Sequence, residues 1–189
     1  MVRGLLLILF LISTVLYLLL NRRPSKYYWK SFWDDKIPLV PIFIIPYLGL
    51  FPFLIATFMF VWKNDIFTFF VTNLVIANYT ASIFWYLFPN GVKRPIIKSR
   101  DFFSKVLSKL YKIDKYDTNG FPSNHVFISI ICSIFLSLVY PGQTYLFILT
   151  AGVIVISVVL VKQHYLIDVI GGTIWALGTY SLVRLLFMS

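Results

Sequence analysis

The sequence predicts an all-α integral membrane protein, a bundle of about six transmembrane helices with one short amphipathic interfacial helix between the third and the fourth. Three observations lead there. Hydrophobic residues fill 59% of the 189 positions, charged residues only 13%, and the mean hydropathy is +0.84, which puts most of the chain in hydrocarbon rather than around one soluble core. Six apolar stretches approach the roughly 20 residues that a spanning helix needs; they run from Gly4 to Leu20, Ile37 to Trp62, Ile66 to Phe88, Ser123 to Tyr140, Thr144 to Val161 and Tyr165 to Phe187. The hydrophilic remainder gathers in short segments, so residues 1–189 read as a single membrane domain.

The first stretch follows Arg3, shows no small-residue cleavage site, and is flanked by Arg22, Arg23 and Pro24, so it is expected to be a helix rather than a cleaved leader. Between Asn21 and Lys36, aromatic residues from Tyr27 to Trp33 alternate loosely with charges, as in an interfacial aromatic belt. Residues 1–36 thus form an N-terminal helix and an interfacial segment, to which no chemistry is assigned. The segment from Pro89 to Phe121 is longer than joining two helices requires. Within it Lys105, Lys109 and Lys112 fall at helical spacing opposite Phe103, Val106, Leu107 and Leu110, which predicts the short amphipathic helix on the headgroups. Cys132, the single cysteine, lies in the fourth stretch as a small packing residue.

A net charge of +10 would suggest a nucleic-acid partner in a soluble protein. Here the basic residues flank hydrophobic helices, so the expected partner is the lipid bilayer, with no nucleic acid; oligomeric state is not legible. Six helices put 14 of the 17 Lys and Arg on one face, leaving Arg3, Lys63 and Arg184 for the other. The positive-inside rule makes the crowded face cytoplasmic, with the plasma membrane of a prokaryote as the expected setting.

Three polar clusters map to that same face. They are Lys93, Arg94 and Pro95 after the third helix; Pro122, Ser123, Asn124 and His125 at the start of the fourth; and Lys162, Gln163 and His164 before the sixth, with Asp168 one turn later. His164 and Asp168 are four apart, so on a continuous helix they share a face and the carboxylate can fix one ring nitrogen. The other nitrogen is then free to act as a nucleophile. The pair would also serve merely to lock two helices. His125 falls in the first turn of a helix, where backbone N–H groups and the dipole favour an anion, and it can protonate a departing oxygen. Arg94 offers a fork suited to phosphate, with Lys93, Lys98 and Arg100 nearby. A nucleophile, an acid, an anion-binding helix end and fixed cations together point to phosphoryl transfer. Two rivals use the same residues: a metal site built from two histidines and one carboxylate, and a proton relay in a transporter.

These clusters resemble the type 2 phosphatidic acid phosphatase superfamily of membrane lipid phosphatases and phosphotransferases, whose motifs read KxxxxxxRP, PSGH and SRxxxxxHxxxD. The second appears as Pro122, Ser123, Asn124, His125; the third as Ser157, His164 and Asp168; the first only as Arg94 and Pro95. The likeness spans roughly Ile66 to Gly178. It implies a six-helix fold with its site at the membrane boundary, no metal or other cofactor, and a lipid phosphate substrate. It further implies a phosphohistidine on His164, leaving-group protonation by His125, support from Asp168, and phosphate ligands in Ser123 and Arg94. Many relatives work on the outer face, against the charge count. Leu87 stands at the first motif's lysine, Val158 at the third motif's arginine and Asn124 at the second motif's glycine. Lys93 and Lys162 are the nearest substitutes for the missing cations. The run Lys162, Gln163, His164, Tyr165 before Asp168 resembles a divergent branch that includes inositol phosphorylceramide synthase-like proteins. The expected activity is therefore metal-independent hydrolysis of a phosphomonoester or pyrophosphate lipid, with headgroup transfer to an alcohol, or a non-catalytic binding or transport role, left open.

Overall fold

The computed structural model of the chain describes residues 2–188 apart from Lys115 and Asp117, with the side chain of Met188 also outside the description. Lys115, one of the cations counted on the crowded face, therefore lies outside the described residues. The helices are α1 (Val2–Leu20), α2 (Phe32–Lys36), α3 (Ile44–Leu48), α4 (Leu50–Val61), α5 (Ile66–Leu87), α6 (Phe102–Ile113), α7 (Asn124–Val139), α8 (Thr144–Leu160) and α9 (Leu166–Met188).

Among the described residues, five segments are long and apolar enough to cross a membrane: Val2–Leu20, Pro41–Val61, Ile66–Leu87, Pro141–Leu160 and Leu166–Phe187. The sixth expected span, α7, has 16 residues. At about 1.5 Å per residue it is roughly 24 Å long, short of a ~30 Å hydrocarbon core. It sits at the centre, packed on α4, α5, α8 and α9, so neighbouring helices rather than lipid surround it. Phe127, Ile131, Phe135 and Leu136 interlock there with Phe70, Leu74 and Trp85 of α5, all fully or almost fully buried. The outward faces of α1, α4, α8 and α9 expose Leu5, Phe60, Ile148 and Leu185 among many others. That surface suits hydrocarbon, not water.

The second span is broken where one helix was expected. Pro38 and Pro41 delay its start, and a single 3₁₀ turn over Pro41–Phe43 leads into α3. Pro46 and Pro52 lack the N–H groups a continuous helix would use, and the axis divides at Gly49 between α3 and α4.

Contacts at the loops fix an up-and-down order. The Arg3 guanidinium donates to the carbonyls of Trp62 and Asn64 at one boundary, where the Tyr140 hydroxyl also meets the Phe60 carbonyl. At the opposite boundary, Lys26 N–H donates to Pro89 and Val40 N–H to Leu160. All three polar clusters sit at this second boundary.

The expected amphipathic helix is α6. Asp101 caps it, accepting from Ser104 N–H at 3.0 Å and from the hydroxyls of Ser104 and Ser99; these bonds hold its carboxyl well below the usual range. Leu107 is buried against the second span while Phe102 and Ile113 face outward. The Tyr111 hydroxyl donates to the Val161 carbonyl at 2.7 Å, so α6 also leans on the turn that carries His164.

Candidate active site

Helix α8 ends in a left-handed turn. Lys162 takes φ 52°, Gln163 N–H reaches the Val158 carbonyl at 3.0 Å and Lys162 N–H the Val159 carbonyl at 3.2 Å. This is the bond pattern of a Schellman C-cap, with lysine where glycine is usual. His164 follows in the turn, and α9 begins only at Leu166. His164 and Asp168 are therefore not on one continuous helix, as their spacing suggested. Asp168 occupies the third position of α9, and a carboxylate there reaches back to the N-cap: its Oδ2 accepts Tyr165 N–H at 2.9 Å. The same oxygen lies 3.4 Å from His164 Nδ1.

Asp168 is fully buried, and its other oxygen accepts from the Asn90 amide at 3.3 Å. Asn90, also fully buried, accepts Phe121 N–H on its side-chain oxygen at 2.8 Å and Gly120 N–H on its carbonyl at 3.0 Å. Ser123 N–H in turn donates to the Asp168 carbonyl at 3.2 Å. One aspartate thus joins the histidine turn, the loop after α5 and the start of α7. The close approach of α9 to α7 depends on Gly172, where a Cβ would lie 2.7 Å from Val126 Cβ and 2.9 Å from the Ser123 carbonyl.

At the head of α7 the Tyr47 ring stacks on His125, centroids 4.1 Å apart and planes 15° apart, with Phe51 at its edge. The His125 and His164 rings face each other at 6.4 Å. Three buried polar atoms here have no partner among the described residues, Ser123 Oγ, Asn124 Oδ1 and His125 Nε2, while His164 Nδ1 makes no hydrogen bond and has only the Asp168 carboxylate at 3.4 Å. Buried polar groups are nearly always paired, so such a cluster marks a place shaped for something polar from outside.

The cations named from the sequence divide. The Arg94 guanidinium is held by Asp114, through its carbonyl and at 2.6 Å through its carboxylate, and donates to Gln163 Oε1 at 2.6 Å. It also lies over the Tyr111 ring, while its Nε and the Gln163 amide nitrogen are buried without a partner among the described residues. Burial pushes the Tyr111 hydroxyl up to about 12, against the opposing pull of the Arg94 charge. Lys162 bonds the carbonyls of Asp34 and Ile37 at 3.0 and 2.5 Å, and partial burial lowers its pKa. Lys93 is exposed, its N–H on the Tyr165 hydroxyl and its ammonium over the Tyr28 ring. The structure therefore brings His125, His164, Asp168, Ser123 and Asn124 together and ties Arg94 to the residue preceding His164. The Lys162 ammonium bonds the carbonyls at α2, and Lys93 faces outward.

Two residues escaped the sequence reading, and Gln163, though placed in the third polar cluster, was given no role. Asn90 follows Pro89 at the end of a span, and nothing local marks its partner 78 positions away. Gln163 stood beside two more conspicuous residues. Asp34, in the segment given no chemistry, accepts Ser31 N–H at 2.7 Å and Leu166 N–H at 2.8 Å; Ser31 and Asp34 form a capping box that the spacing could have revealed.

Residues 39–182 match the family model described as the PAP2 superfamily. The match covers more of the chain than the motifs alone suggested and leaves α1 outside it. Neither the search of curated proteins nor that of solved structures finds a match. The chain belongs to the PAP2 superfamily, and its chemistry is of the phosphatase or phosphotransferase type.

Proposed function

We propose that this member of the PAP2 superfamily hydrolyses a lipid phosphate through a phosphohistidine, without a metal ion. The observation that carries the reading is the set of unpartnered buried polar atoms at the head of α7, beside a histidine held by a buried carboxylate. His164 Nδ1 faces Asp168, which leaves Nε2 to attack phosphorus. The bond from phosphorus to the leaving oxygen breaks, and that oxygen takes the proton of His125, whose charged form the anionic substrate favours. Water then attacks the phosphohistidine, returns a proton to His125, and inorganic phosphate departs as the P–N bond breaks. Ser123, Asn124, the first N–H groups of α7 and Arg94 with Gln163 stabilise the charge on the equatorial oxygens. Lys93 and Lys162 serve the fold and the surface in this reading.

Purified protein in detergent, incubated with a panel of lipid phosphates and EDTA, is expected to release phosphate. Turnover is expected to vanish in His164→Ala and to fall steeply in His125→Ala. Loss of turnover on chelation, or full turnover in His164→Ala, would overturn the mechanism. With an alcohol present, a new lipid ester in place of free phosphate assigns a phosphotransferase instead.

A further inference from the structure

Helix α1 packs on α5, and α4 packs on α7. Between α1 and α4 lies a cavity of about 290 Å³, and α1 supplies five of its twelve lining residues. Phe10, Thr14 and Leu18 line one wall, Phe51 and Leu54 the other, and Asn124 and His125 the polar end. Leu11, Leu18 and Phe51 on its rim are exposed. The cavity thus opens sideways between two membrane-spanning segments, toward hydrocarbon rather than water. Phe10 meets Phe58 at 5.5 Å, closing the gap between the helices away from the site.

The group behind a leaving oxygen must begin where that oxygen is protonated. His125, with its buried unpartnered Nε2, lines this cavity, and the walls leading away from it are largely apolar, with Thr14, Tyr17 and Asn78 the other polar residues on them. From Phe10 to Leu18 the wall runs about 12 Å along the helix. A largely apolar wall of that length suits a hydrocarbon chain. We infer that α1, outside the region matched to the family, forms one wall of a site that holds a hydrocarbon chain of the lipid, attached at the leaving oxygen beside His125. The inference rests on the proposed role of His125 as leaving-group acid.

The test separates the two. An alkyl phosphonate with a diazirine at the chain end has no ester bond to break, so its binding is read whether or not the protein turns over. Photolysis is expected to label peptides from Val2–Leu20 and Leu50–Val61, with tetradecyl phosphate competing and butyl phosphate not. Thr14→Trp, which fills the cavity, is expected to weaken labelling. It should also cut the ratio of kcat/KM for tetradecyl over butyl phosphate by about tenfold or more, since two buried methylenes are worth about that factor. Label confined to α8 and α9, or labelling and selectivity unchanged in Thr14→Trp, would overturn the inference. Label on α1 and α4 without hydrolysis of either ester would sink the phosphatase reading and leave the chain site standing.

Discussion

Replacing Asn90 by alanine removes two bonds at the centre of the site without touching the reacting groups. One runs from its amide to Asp168 at 3.3 Å, the other from Phe121 N–H to its side-chain oxygen at 2.8 Å. A hydrogen bond to a charged group is worth about 1.5–3 kcal/mol, and a buried N–H left unpaired costs about 1–3 kcal/mol. If the first amount is expressed in the transition state, through a carboxylate that no longer holds the imagined imidazole geometry, turnover falls about 10- to 150-fold. The second amount appears as lost stability and says nothing about chemistry. The assay is therefore a double-mutant cycle on the rate of phosphate release, with thermal unfolding recorded alongside. In an Asp168→Asn background the donor has no charged acceptor to orient, so Asn90→Ala is expected to cost less than about threefold there. An equal penalty in both backgrounds would refute the argument that Asn90 acts through Asp168.

Gly172→Ala forces a Cβ against the Ser123 carbonyl, a backbone atom that cannot swing aside; overpacking of this kind costs about 1–3 kcal/mol, so the unfolding temperature in detergent and the turnover should fall together. Asp34→Ala leaves the N–H groups of Ser31 and Leu166 unpaired, and with about 1 kcal/mol for each lost cap it is expected to lower stability and slow turnover even though Asp34 touches no substrate. Lys162→Met breaks two bonds to the carbonyls of Asp34 and Ile37; its effect should fall on stability, with KM for the phosphate substrate within roughly twofold, and a large rise in KM would bring Lys162 into the phosphate site.

Apolar runs of near-spanning length made most of the helices readable almost to the residue, because in a bilayer the backbone has few other ways to satisfy itself. The breaks at Pro41 and Gly49 were less legible, since proline can kink a span without ending it. Sequence spacing brought His125, His164, Asp168, Ser123 and Asn124 to one boundary. It misjudged how His164 and Asp168 meet, because a four-residue interval looks the same on a helix as across an N-cap. Lys162 shows the same blindness. The family cation missing at Val158 suggested it as a phosphate ligand, yet a left-handed φ of 52° sends the chain through a C-cap and its ammonium bonds the carbonyls of Asp34 and Ile37. Asn90, Gln163 and Asp34 act through partners far along the chain, 78, 69 and 132 positions away. No local pattern encodes such a partner.

The covalent intermediate is the point on which the account stands or falls. Protein incubated with a lipid phosphate labelled in its phosphate group, quenched in alkali and digested, should carry an acid-labile label on the peptide containing His164. The label should be absent in His164→Ala and should accumulate in His125→Ala when the substrate has a leaving group that departs without a proton. Steady release of phosphate with no labelled peptide at any time, or label that persists in His164→Ala, would contradict the assignment of His164 as the nucleophile.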